Sequence, residues 1–80
     1  MTREVEFMRY AGNALNVQRV SLGMTQEQLA VAVNVDRSVV SRWENGDRMM
    51  TLFEWTQIES VFDAARRAVA KEVATAVGAR

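Results

Sequence analysis

No proline occurs anywhere in the 80 residues, and apolar side chains recur at helical spacing almost from end to end. A chain without proline lacks the strongest helix breaker and the usual opener of tight turns. Apolar residues at i, i+3, i+4 and i+7 mark amphipathic helices, whereas half-buried strands alternate every second residue. The expected fold class is therefore all-α, a compact bundle of about five helices ending in a helix that can extend beyond the core. A chain this short fits one domain with an economical core.

Local signals divide the chain. From Glu4 to Leu22, Met8, Ala11, Leu15 and Leu22 fall near one face, with Arg19 at the same angle, and Gly23 suits a helix C-cap. Thr25-Gln26-Glu27-Gln28 reads as a helix start in which Thr25 caps and Gln28 completes a capping box. That helix carries Leu29, Ala30 and Val33 inward and stops at Asn34, which tolerates a left-handed turn. Asp36 reads as the next N-cap. The helix it opens runs from Arg37 to about Asn45 and ends at Gly46; Val40 and Trp43 share its inner face. Asp47 to Met50 reads as a loop. Thr51 caps a further helix with the stripe Leu52, Trp55, Ile58 and Phe62. Ala65, Val69, Val73 and Ala76 continue that stripe, as an extension of the same helix or as a fifth, up to Gly78.

Composition closes several routes. Cysteine and histidine are absent, so disulfides, thiolate zinc sites and the commonest general base are unavailable. No nucleophile–base pair or carboxylate cluster with ligand spacing is visible, so no enzyme activity, metal or cofactor is expected. No apolar run approaches the roughly 20 residues that span a bilayer, and MTREVEFMRY has no signal-peptide core. A soluble protein of the bacterial cytoplasm, or of a phage-infected bacterial cell, is expected, in association with the nucleoid.

Two short helices joined by a tight turn, the second polar outside and apolar inside, form a helix-turn-helix pattern. Such a second helix fits the major groove and presents its N-terminal side chains to base edges. The ten basic and ten acidic residues cancel. Within residues 25–50, Arg37, Arg42 and Arg48 face Glu27, Asp36, Glu44 and Asp47. Phosphate neutralisation normally supplies much of the affinity for DNA, so any DNA face requires charge to be segregated in three dimensions.

GMTQEQLA at 23–30, NVDRSVVSRWENG at 34–46 and the L-x-x-W-x-x-I pattern at 52–58 carry a resemblance. Residues 15–62 resemble the phage-repressor helix-turn-helix family, which includes Cro, the lambda-type repressors and the xenobiotic-response-element proteins. The resemblance implies a five-helix domain that binds operator DNA as a symmetric homodimer. By the same resemblance, Gln26 binds phosphate and braces the recognition helix, Arg37 and Ser38 read bases, and Arg42 reads a third position. Arginine pairs bidentately with guanine, so guanines are expected in the half-site. Ser41 and Asn45 would touch phosphates and Arg48 would clamp the backbone, contacts that set register without specifying sequence. Arg19 matches a family arginine that pairs with Glu44. The chain departs from the family at Asn34, where glycine is usual, and at Met49-Met50, where Asn-Pro is common.

Each assignment has a plainer counterpart. Asp36 could repel phosphate or accept from cytosine, but N-capping suits its position better. Trp43 and Trp55 could stack on bases, yet their spacing with Val40 and Ile58 places them in the core. Met8 and Met24 read as core, Met49 and Met50 as exposed, and Glu27 and Glu54 as solvated. Residues 1–62 are taken as the DNA-binding domain and 63–80 as a C-terminal helix that either caps the core or dimerises through Phe62, Val69 and Val73. The leading function is a sequence-specific, double-stranded DNA-binding repressor that occludes an operator. The alternatives are an antitoxin, with the extra helix and Met49-Met50 as its toxin surface, and a protein-interaction module that keeps the fold without binding DNA.

Overall fold

The computed structural model describes residues 2–78, which form four helices: α1 (Arg3–Ser21), α2 (Gln26–Val33), α3 (Arg37–Glu44) and α4 (Leu52–Gly78). Each begins where the sequence supplies a cap or an extended residue. The Thr2 hydroxyl accepts from the Val5 amide at 3.2 Å to start α1. At α2, Thr25 Oγ1 accepts from the Gln28 amide at 3.0 Å while Gln28 Oε1 accepts from the Thr25 amide at 2.8 Å. Thr51 and Glu54 repeat this reciprocal box at α4, at 3.0 and 2.9 Å. Each box satisfies two amides that the first helical turn leaves without partners. Glu54 is therefore not simply solvated; it also lies 3.9 Å from Arg48.

Helices α1, α2 and α3 end alike. Near each end an amide returns to the carbonyl five residues before it, in the last turn: Met24 to Arg19, Val35 to Ala30, and Asp47 to Arg42. The residue just before that amide is left-handed, with φ of 69° at Gly23, 58° at Asn34 and 76° at Gly46. Asn34 directly follows the last residue of α2, where the backbone enters the turn to α3. Asparagine fills the left-handed position here because its short polar side chain tolerates that geometry.

The core joins Leu15 of α1, Leu29, Ala30 and Val33 of α2, Val40 and Trp43 of α3, and Ile58 and Phe62 of α4. Helix α3 packs on both α1 and α2, and α2 packs on α4. Met24 and Met50 lie half-buried against this cluster, so Met50 belongs with the core while Met49 is exposed. Leu52, placed in the stripe by periodicity, is 80% exposed at the first turn of α4, ahead of the packed segment. Trp55 is half-buried.

A separate fifth helix does not form. Helix α4 runs unbroken for 27 residues, about 40 Å at the standard rise. Between Leu52 and Val77 it meets neither glycine nor proline, and its second half is rich in alanine, so nothing ends it at the edge of the core. It crosses residues 62 and 63 without interruption, and residues 66–78 are exposed on every side. The overhang gives the molecule dimensions of 55 × 23 × 19 Å. Residues 79 and 80, part of the expected C-terminal segment, lie outside the described residues, as does residue 1. Among the described residues no helix is long and apolar enough to cross a membrane.

Candidate nucleic-acid interface

Helix α3 is eight residues long and strongly two-sided. At 3.6 residues per turn, Arg37, Ser38, Ser41, Arg42 and Asn45 fall within an arc of about 140°, with Val39, Val40, Trp43 and Glu44 on the remainder. Burial follows the division: Arg37, Ser38, Arg42 and Asn45 are exposed and Ser41 is half-buried, whereas Val40 and Trp43 are buried. The outward arc holds two arginines and no carboxylate. Arg48 is exposed just beyond the helix. The Trp43 indole N–H is buried without an acceptor among the described residues.

What holds this arc in place lies beneath it. The Glu44 side chain is only 4% exposed. Its carboxylate accepts from Arg19 Nε at 2.6 Å and Nη2 at 3.1 Å, from Asn16 Nδ2 at 2.9 Å and from Gln26 Nε2 at 3.0 Å. Arg19 Nη1 also donates to the Met24 carbonyl at 2.7 Å. One carboxylate thus ties α1, the start of α2 and the end of α3 together. Burial alone would raise the Glu44 pKa. The hydrogen bonds from Arg19, Asn16 and Gln26, with the charge of Arg19, outweigh it and hold the carboxyl below its ordinary value. Bonds that favour the ionised form lower a carboxyl pKa in this way. The pairing also removes the Glu44 charge from the outward field of α3.

Gln26, the first residue of α2, is half-buried and its amide is engaged with Glu44. It lines a shallow hollow with Thr25, Glu27 and Arg37. Asp36 occupies the N-cap position of α3 with extended backbone, but its side chain makes no capping bond. Its carboxylate instead accepts the Ser38 hydroxyl at 2.7 Å. Capping was the expected role; the nearby hydroxyl turns the carboxylate away from the free amides.

A helix-turn-helix family model matches residues 16–66, well over half of the chain. The chain belongs to the phage-repressor-like helix-turn-helix family. It is, in general terms, a DNA-binding transcription regulator, and the family is a regulatory rather than a catalytic one. No curated protein matches the chain closely enough to refine this.

In this helix-turn-helix protein, two residues central to the support of α3 escaped the sequence reading. Asn16 donates to Glu44 across 28 positions of sequence. Gly12 is buried within α1 where the carbonyls ending α3 press on it; a Cβ there would overlap the Trp43 carbonyl oxygen and stand 2.9 Å from that of Glu44. The available signal was a glycine inside a helical pattern, which commonly marks a close approach. Phe62, expected at a dimer surface, is fully buried in the core and cannot serve there. Val69 and Val73 remain exposed, at 48% and 58%.

Proposed function

We propose that the chain is a sequence-specific repressor of the phage type, which binds operator DNA as a homodimer and acts by occluding a promoter. The observation that carries this reading is the outward arc of α3, two arginines and three small polar residues without a carboxylate, braced from behind by Glu44. Insertion of this arc into the major groove brings Arg37 and Ser38 to base edges first and Arg42 one turn later. Bidentate pairing of the arginines with guanine O6 and N7 supplies the base preference. Gln26, Ser41, Asn45 and Arg48 contact phosphates on either side and set the register. The Ser38 hydroxyl donates to Asp36 and is left as an acceptor, suited to a base amino group; donating to a base requires it to exchange that partner.

Zero net charge leaves each copy few phosphate contacts, so tight binding draws on two copies at half-sites about one helical turn, roughly 34 Å, apart. Selection from a random double-stranded DNA pool tests the reading. The expected result is a two-fold symmetric consensus containing guanines, with an affinity that falls linearly in log–log form as salt rises. Recovery of no sequence, with a flat salt response, overturns it.

A further inference from the structure

Two apolar surfaces have no partner among the described residues, and they lie at opposite ends of α4. At one end, Val69, Val73 and Val77 stand four residues apart on the free overhang, 48%, 58% and 62% exposed. At the other, a groove of about 600 Å³ runs between α1 and the start of α4, walled by Phe7, Tyr10, Met49, Leu52 and Trp55. Phe7 is 58% exposed and Tyr10 76%. Leu52 and Val77 are separated by about 37 Å along one straight helix, so the stripe cannot reach the groove of its own chain. The valines, Phe7 and Tyr10 all fall outside the 16–66 match, so the stripe and the α1 wall of the groove are additions to the helix-turn-helix unit, while Met49, Leu52 and Trp55 belong to it.

We infer that the occupant of the groove is the α4 overhang of a second copy, and that two chains exchange overhangs with their α4 helices antiparallel. Charge favours a second copy and one direction. Residues 52–65 carry Glu54, Glu59 and Asp63 and no basic residue, whereas 66–78 carry Arg66, Arg67 and Lys71 against Glu72 alone. Asp63 is paired with Arg66 and Glu54 with Arg48 of the same chain, so Glu59 on one side and Arg67 and Lys71 on the other carry the complementarity. Antiparallel pairing sets the acidic half of each helix beside the basic half of the other; parallel pairing sets like against like. Size agrees. The exposed parts of Phe7, Tyr10, Met49, Leu52 and the three valines amount to about 700 Å² per chain, scaled from typical side-chain areas. If all of it were covered, a symmetric pair would bury about 1,400 Å², an upper bound that falls within the range of stable interfaces. The stripe spans about 12 Å and the α1 wall from Phe7 to Gln18 about 16 Å, so one fits along the other. The two-fold axis passes near Ala64, and each contact is made twice.

This deepens the homodimer part of the repressor reading, and it is tested without DNA. Light scattering of the purified chain should give twice the 9.0 kDa chain mass. Val73→Glu should weaken association at least tenfold and leave the helical circular dichroism unchanged. The chain has no cysteine, so contacts can be mapped by mixing Tyr10→Cys with Val73→Cys and adding a short bis-maleimide. The mixture should yield a Tyr10–Val73 cross-link. Val73→Cys alone should not, because antiparallel exchange holds the two positions about 27 Å apart. A monomer throughout, a Val73→Glu variant that still dimerises, or efficient cross-linking of Val73→Cys to itself overturns the inference. If the dimer behaves as expected but no DNA is selected, the exchange stands and the repressor reading falls.

Discussion

Replacing Glu44 with glutamine changes one oxygen to an amide nitrogen in a site where four N–H groups converge: two from Arg19 and one each from Asn16 and Gln26. The remaining oxygen can accept about two of them, and the new NH₂ points donor hydrogens at the others. Arg19, 11% exposed, keeps its charge and loses its counter-ion. Breaking a buried pair from one side costs about 3–5 kcal/mol. A domain of this size holds only about 4–12 kcal/mol in total, so Glu44→Gln removes a large share of its stability. With a urea m-value near 1 kcal/mol/M, at the low end for small proteins, the midpoint should fall by about 3–5 M. The pH dependence gives a second reading. The folded carboxyl is held below 4.5, so its contribution is complete above that value and disappears as pH falls through the folded pKa. Urea titrations followed by far-UV circular dichroism at neutral pH and in acid should show the gap between parent and variant closing in acid. A loss under about 1 kcal/mol, typical of surface pairs, or a gap that does not change with pH, would refute the account of Glu44 as the bracket of α3.

Gly12→Ala should destabilise despite the better helix propensity of alanine, by a net of about 1 kcal/mol or more, because overpacking outweighs the propensity gain; thermal unfolding measures it, and a stabilised variant would contradict the close approach. Asn34→Val should lose about 1–2 kcal/mol because a branched side chain resists the left-handed turn. Asn34→Gly should stay within about 0.5 kcal/mol of the parent, as exposed sites usually do; equal losses in the two variants would show that the turn geometry is not what matters. Arg42→Ala should weaken binding to the selected DNA by about 1–3 kcal/mol and relax the preference at one position, with little change on unrelated DNA. Competition electrophoresis separates the two effects, and equal losses on both DNAs would reassign Arg42 to the phosphates.

Much of this protein was legible in interactions spanning four residues or fewer. The box at Thr25–Gln28, the cap at Thr51, the left-handed stops at Gly23, Asn34 and Gly46, and the two-sidedness of α3 depend on which side chain lies three or four places from which amide. Sequence spacing encodes that directly. The return bond of Glu54 follows the same spacing but escaped the sequence reading, which left that side chain solvated. Asp36 marks the edge of this local logic: its position was readable, but a hydroxyl two residues away competed for its carboxylate. The rest required distant segments to meet. Residue 12 lies against residues 43 and 44 only because Trp43 and Leu15 share one core, and no spacing rule brings Asn16, Arg19 and Gln26 to a single carboxylate. Periodicity also drew one continuous stripe along α4, although burial ends near Ala65 and leaves the valines outside. A helical repeat shows which face is apolar; only the folded chain decides how far along that face there is something to pack against.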